Sequence, residues 1–328
     1  MIRTLVFDIL FLLFAVTAFS QVKIIFDTDF GGDADDLGAL VMLHNFMDKG
    51  ECDLLAIMCW STEQYAVSAI DAVNRFYEHP DIPIGTRKGD TYFNSWNYCK
   101  PITDNFYYEL NHKDVANATL LYRKILAKSD DKSIDIVTVG PLLNIQNLIK
   151  SEADSLSKLT GKELIQKKVK EFVIMGGQFP EGKKEWNFDG NMPGVTQFVL
   201  QNIDVPVTFS GYEIGDVIKT GEIFNKIDTQ TPLYVGFKHF SQNAPWIKEH
   251  YKGKILDNSS YDQTAVLYAV RKGLGVYWDK IVGGYCEPDE NGGNKWIKGE
   301  VTNHSYLKLK TNPEEMAELI ESIMLNDF

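Results

Sequence analysis

The stretch Val22-Lys23-Ile24-Ile25-Phe26-Asp27-Thr28-Asp29-Phe30-Gly31-Gly32-Asp33-Ala34-Asp35-Asp36 decides how this chain is read. It opens with a short, nearly continuous apolar run, the pattern of a strand buried on both faces. Asp27, Asp29, Asp33, Asp35 and Asp36 then follow within ten residues, interrupted by Gly31 and Gly32. Carboxylates this close at a sheet edge repel one another and raise each other's pKa unless a positive charge neutralises them. A hard cation with oxygen ligands does so, and dense carboxylates favour Ca²⁺ or Mg²⁺ over zinc. The two glycines permit a tight backbone path around such an ion.

Other patterns use the same residues. A solvated acidic turn leaves the preceding strand without a purpose. An EF-hand fails at its last ligand: counted from Asp27, Gly38 stands where the bidentate Glu belongs. Asp27-Thr28-Asp29 also fits the Asp-x-Asp loop of a Mg²⁺-dependent haloacid dehalogenase-like phosphatase, with Asp27 as nucleophile, although Gly31 replaces the usual Thr or Val.

Outward from the loop, apolar runs alternate with helical patterns. A helix is expected over about Leu37 to Met47, a strand over Leu54 to Cys59 and a helix from Ala66 to Tyr77. Ile134 to Val139 leads through Gly140-Pro141 into a helix over Leu142 to Ile149. Phe172 to Met175 and Val205 to Phe209 are further buried strands, and late helices are expected at Thr264 to Arg271 and Pro313 to Met324. This alternation predicts an α/β fold: an open, mostly parallel sheet with helices on both faces. Polar and Gly-rich residues cluster beyond the carboxyl ends of the strands, the edge where open α/β sheets bind ligands.

The 328 residues, 44% hydrophobic, suffice for a sizeable core, and no linker or repeat divides them, so residues 21–328 read as one domain. A net charge of −12 argues against nucleic acid or an anionic membrane as partner and leaves a small molecule, with homo-oligomerisation open. Residues 1–20 carry Arg3, an apolar stretch from Leu5 to Phe19 broken by Asp8, and small residues up to Ser20. That order is a signal peptide's, and the stretch is shorter than the roughly 20 residues of a spanning helix. Export to the periplasm or medium is expected, with mature protein beginning near Gln21. Cys52, Cys59, Cys99 and Cys286 form no CxxC pair; Cys59 reads as a small buried hydrophobe, and a disulfide involving Cys99 is left open.

Four segments in order carry a resemblance. The aspartate loop resembles the Asp-Thr-Asp-Pro-Gly loop and Asp-Asp pair of the inosine/uridine-preferring nucleoside hydrolases, with Phe30 in the Pro position and the pair two residues further on. Val139-Gly140-Pro141-Leu142-Leu143-Asn144 resembles that family's Gly-Pro-Leu-Thr-Asn segment. Met175-Gly176-Gly177 with Glu185-Trp186-Asn187 resembles its Met-Gly-Gly and Glu-Phe-Asn segments. Tyr261-Asp262 resembles the His-Asp at the start of a late helix. The resemblance implies Ca²⁺ held by Asp29, Asp36, Asp262 and the Val139 carbonyl, and hydrolysis of a ribosyl N-glycosidic bond. Asp29 would be the general base on a metal-bound water, Asp35 and Asp262 would take ribose hydroxyls, and Glu185 and Asn187 would hold the sugar. An extended 185–187 segment would point both polar chains one way with Trp186 opposite, and Asp262 alone would read as a helix cap.

Departures concern the base and the 5′ end. Tyr261 replaces the His that protonates the leaving base; a phenol with a pKa of about 10 stays protonated and donates less readily. Trp60-Ser61-Thr62 replaces a Gly-Asn pair, and the loop between Gly177 and Glu185 is short. Trp60, Trp186, Tyr212, Trp246, Tyr261 and Trp296 are candidates for stacking on a base, and His239 and His304 are alternative proton donors. A non-catalytic nucleoside- or ribose-binding protein on the same scaffold is the alternative to the hydrolase.

Overall fold

In the computed structural model, described for residues 21–299 and 302–328, the expected alternation is present. The nine-stranded sheet comprises β1 (Val22–Thr28), β2 (Cys52–Cys59), β3 (Ile84–Thr86), β4 (Ala116–Asn117), β5 (Ile134–Thr138), β6 (Val169–Met175), β7 (Val207–Ser210), β8 (Trp278–Ile281) and β9 (His304–Leu309). Their spatial order is β8-β9-β7-β6-β5-β1-β2-β3-β4, parallel throughout except for the edge pair β8 and β9. The signal-peptide reading of residues 1–20 lies outside the described residues. Among those described, no helix is long and apolar enough to cross a membrane.

Strand alternation builds two cores. Ile24 and Phe26 of β1 face one cluster, completed by residues of helices Asp35–Asp48, Ala66–Phe76, Tyr261–Arg271 and Pro313–Met324. Ile25 faces the other, with residues of helices Ala118–Lys128, Leu143–Ile149, Gly161–Lys168 and Val195–Asn202. On a sheet covered on both sides, a period of two makes most positions on both faces apolar, which is why β1, β5 and β6 read as largely apolar runs. The shorter strands β3 and β4 and the edge pair β8 and β9 were not expected from sequence. Their polar or two-residue character gives little periodic signal.

The parallel register aligns the carboxyl ends of the central strands. Asp27 pairs with Met58 on one side and Thr138 on the other, and Thr138 in turn with Ile174. Asp29, Val139, Gly176 and Gly211 therefore emerge along one edge. A three-stranded antiparallel sheet, Glu181–Gly182 with Gly284–Pro288 and Asn294–Lys298, lies in the chain beside the Glu185 turn, whose backbone it meets through Glu185 N and Gly292 O. All four cysteines are buried and free, so the disulfide left open at Cys99 is not formed.

Candidate active site

A cavity of about 560 Å³ opens at this edge, lined by Asp29, Asp33, Asp35, Asp36, Val139, Glu185, Asn187 and Asp262. The loops after β1, β5 and β6 and two helix starts thus place the expected cation, sugar and Tyr261 residues around one space. A wider hollow of about 710 Å³ beside the small sheet gathers none of them.

Asp27 belongs to the scaffold. It is 1% exposed, and its two carboxylate oxygens accept from Tyr122 Oη (2.8 Å) and Asn144 Nδ2 (3.0 Å). Burial pushes its carboxyl up to about 7 against those two bonds. A nucleophile needs a free oxygen facing substrate, so the phosphatase reading is overturned on this residue. The loop next turns at Gly31, whose φ of +121° and closeness to Cys99 Sγ, 2.5 Å from where a Cβ would sit, exclude a side chain.

Asp35 and Asp36 begin the Asp35–Asp48 helix, and Asp262 lies in the first turn of Tyr261–Arg271. Two helix N-termini thus converge, and their dipoles favour the negative charges gathered there. Carboxylate oxygens of Asp35, Asp36 and Asp262, one from each, lie within 4.8 Å of one another, all in buried residues. Burial first, then mutual repulsion among the loop aspartates, pushes all three well above the usual carboxylate range. Three hard oxygen donors in one buried spot, with no cationic side chain among them, fit a divalent cation. The Asp262 backbone N–H donates to Asp35 Oδ2 (3.4 Å), and Thr28 Oγ1 donates to Asp36. Asp262 is not the helix cap: that position is Ser260, which makes no side-chain capping bond.

Asp29 lines the same cavity but lies outside the trio. Its Oδ2 accepts from Trp186 Nε1 at 2.8 Å, and burial pushes its carboxyl up to about 6. Asp33 accepts from the Ala34 N–H (2.7 Å) and from Asn258 Nδ2. The Val139 carbonyl accepts from Asn187 Nδ2 (2.9 Å), whereas Asn187 Oδ1 is buried and finds no partner among the described residues.

The 185–187 segment is not extended. Trp186–Asp189 is a short helix, and Glu185 caps it by accepting from the N–H groups of Asn187 (2.9 Å) and Phe188 (3.0 Å) while also holding Gly177 N–H (2.9 Å). Burial pushes Glu185 up to about 7. Trp186 therefore faces the cavity alongside its neighbours rather than opposite them.

Aromatic side chains form the rest of the wall. Trp60, Trp186, Tyr212, Trp246 and Tyr261 line the cavity as candidates for stacking, and the sequence reading missed Tyr92 and Trp96. Trp296 does not: it packs edge-on against Tyr306, in the core. Tyr212 and Tyr261 stack at 5.1 Å, and both hydroxyls donate to Asp216 Oδ1, at 3.1 and 3.3 Å. Burial pushes the Tyr261 phenol far up, so it stays neutral. His239 bonds to the Ser95 carbonyl and His304 accepts from the Cys286 N–H; neither lines the cavity, which removes both as proton donors.

A parallel sheet whose carboxyl edge gathers three acids able to hold a divalent cation, beside a further carboxylate, is compatible with metal-assisted hydrolysis. The description of the inosine-uridine preferring nucleoside hydrolases matches residues 24–305, and the chain belongs to that family, with its N-glycosidase type of activity. No curated protein matches the sequence at a significant level. Among solved structures, a plant nucleoside hydrolase superposes with a TM-score of 0.70 at 16% identity, over 92% of this chain and 98% of that one. The purine-preferring ribonucleoside hydrolase from Gardnerella vaginalis gives 0.66 at 16%, over 93% and 99%. The type III effector protein XopQ, solved with adenosine diphosphate ribose, gives 0.63 at 13%, over 93% of this chain and 92% of that one. At these identities the likeness concerns the fold.

Proposed function

We propose that this chain hydrolyses the N-glycosidic bond of a ribonucleoside or a related ribosyl compound in a Ca²⁺-dependent reaction. The observation that carries the reading is the buried trio Asp35, Asp36 and Asp262 in one cavity with Asp29, Glu185 and Asn187. That one structural relative was solved with adenosine diphosphate ribose supports a substrate class wider than simple nucleosides.

Asp29, Asp36, Asp262 and the Val139 carbonyl are the proposed cation ligands, and the position of Asp35 within the trio adds it as a candidate. A bound Ca²⁺ supplies positive charge that acidifies a nearby water and fixes ribose hydroxyls. Asp29 takes the proton of the attacking water as general base. Asp35 and Asp262 accept from the 2′- and 3′-hydroxyls. Asn187 Oδ1, buried and unpartnered, is an acceptor left over for the sugar, and Glu185 holds the turn that presents it. The acidic surroundings stabilise positive charge developing at C1′. Tyr261, neutral and stacked on Tyr212, offers the leaving base a flat surface, and a hydrogen bond once its hydroxyl turns from Asp216.

A second reading, a nucleoside- or ribose-binding protein without catalysis, draws on Tyr261, whose hydroxyl is turned to Asp216 rather than free. Single-turnover assay of sugar release against equilibrium binding of the same nucleoside separates the two. Binding without release at any enzyme concentration favours the second. The export reading stands as a companion proposal, tested by N-terminal sequencing of protein recovered outside the cytoplasm: a start near Gln21 is expected, and a start at Met1 refutes it.

A further inference from the structure

Trp186 is half exposed, whereas Glu185 before it is buried and Asp29, which it meets, is partly buried. Its indole Nε1–H reaches Asp29 Oδ2 across 157 residues of chain, at 2.8 Å. The backbone that carries it is anchored on both sides. Glu185, just before, accepts three backbone N–H bonds from Gly177, Asn187 and Phe188. Asn187, just after, spends its amide hydrogens on the carbonyls of Val139 and Met175. The opposite flank of Asp29 is closed by Gly140, where a Cβ would sit 3.0 Å from Oδ1 and 2.8 Å from the Asp29 nitrogen.

One oxygen of the proposed base is thus held by a donor, and the other packs against a residue with no side chain. We infer that Trp186 is a positioning residue: its N–H fixes the rotation of the Asp29 carboxylate, so that the group meets the attacking water in one orientation. The inference rests on the role proposed for Asp29. Phenylalanine, which stands here in the Glu-Phe-Asn segment that 185–187 resembles, fills much of the same space but has no N–H to donate. Carboxylate rotation is cheap and catalysis is sensitive to it: misplacement of a reacting group by about 1 Å costs about 10²-fold in rate.

The test is Trp186→Phe, which keeps a ring and removes the donor. The expected result is a fall in kcat of about 10²-fold, with KM essentially unchanged. In metal-free wild-type protein with ¹⁵N-labelled tryptophan, the Trp186 indole resonance, assigned through its own backbone, should move upfield on Asp29→Ala. That comparison does not require Trp186→Phe to fold. Wild-type kcat in Trp186→Phe, or an indole resonance that ignores Asp29→Ala, overturns the inference while leaving the hydrolase reading standing. A rise in KM with kcat kept assigns Trp186 to wall packing and also overturns it. Wild-type protein that releases sugar from no substrate fails the functional reading, and the inference with it.

Discussion

Two acidic groups sit on the same sheet, and the chain treats them in opposite ways. At the carboxyl edge, Asp29, Asp33, Asp35, Asp36 and Asp262 share one cavity, and Asp35, Asp36 and Asp262 have no cationic partner among the described residues. Toward the amino ends of the strands, Asp135 of β5 and Glu171 of β6 meet Lys272, which bonds them at 3.3 and 2.7 Å, while Lys280 reaches Glu171 at 3.3 Å. One helix, Tyr261–Arg271, joins the two places: Asp262 lies in its first turn and Lys272 just past its end, about 15 Å away at 1.5 Å per residue. Burial pushes Glu171 up, but the charge and hydrogen bond of Lys272, the Thr208 hydroxyl and Lys280 outweigh it and hold the carboxyl at about 2. Around Asp29 nothing outweighs burial. A cluster neutralised from within is structure; one left for an outside cation is a site.

The largest expected effect breaks this comparison directly. Asp29→Ala should lower turnover by about 10³-fold with the melting temperature kept, whereas Glu171→Gln should cost about 3 kcal/mol of stability with turnover kept. Steady-state kinetics and thermal melts of both variants check the pair. Retained activity in Asp29→Ala refutes it as base, and a catalytic loss in Glu171→Gln refutes the division of roles.

Ca²⁺ comes next. At a hundredfold excess over its Kd it should stabilise the protein by about 2.7 kcal/mol, read as a rise in melting temperature. The pH dependence follows from the shifts. Asp29 and Asp27 have folded pKa values of about 6 and about 7, above the ordinary 3.8. Their contribution is complete below about pH 4 in the metal-free protein and is lost as pH rises through 6 to 7. Glu171, depressed from 4.5 to about 2, contributes above 4.5 and loses that contribution as pH falls toward 2. Cation binding needs the carboxylates ionised. The Ca²⁺-induced rise should therefore be larger at pH 7 than at pH 5, and an equal rise at both would contradict the site.

Gly140→Ala sharpens the same contrast at one atom. The new Cβ must displace Asp29, and kcat should fall about 10²-fold with little change in melting temperature; unchanged kcat would show that Asp29 tolerates movement. Tyr261→Phe should have the smallest effect. Loss of one hydrogen bond worth about 1 kcal/mol amounts to about fivefold in kcat/KM on purine ribonucleosides, and an unchanged value leaves Tyr261 only its stacking surface.

Much of this was legible because it is local. Strand β1, its acids and the helix after it are contiguous, and hydrophobic periodicity with like-charge crowding was enough to read them. Asp262, Glu185 and Asn187 were placed by resemblance. What the sequence hid is long-range. The Trp186 bond to Asp29 and the meeting of Tyr212 and Tyr261 at Asp216 depend on loops brought together by the sheet. Tyr92 and Trp96 lie in a stretch with no periodicity. The short helix after Glu185 was missed because Glu is a poor capping signal beside Ser, Thr, Asp or Asn; here it caps because Gly177 N–H helps to hold it.

The central claim is that the unneutralised cluster binds a cation for ribosyl N-glycoside hydrolysis. Release of reducing sugar from a panel of ribonucleosides, measured with Ca²⁺, after chelation, and after Ca²⁺ is restored, tests it most directly. The account predicts release with Ca²⁺, loss on chelation and recovery on addition. Release indifferent to the chelator, or none from any nucleoside despite tight Ca²⁺ and ribose binding, would contradict it.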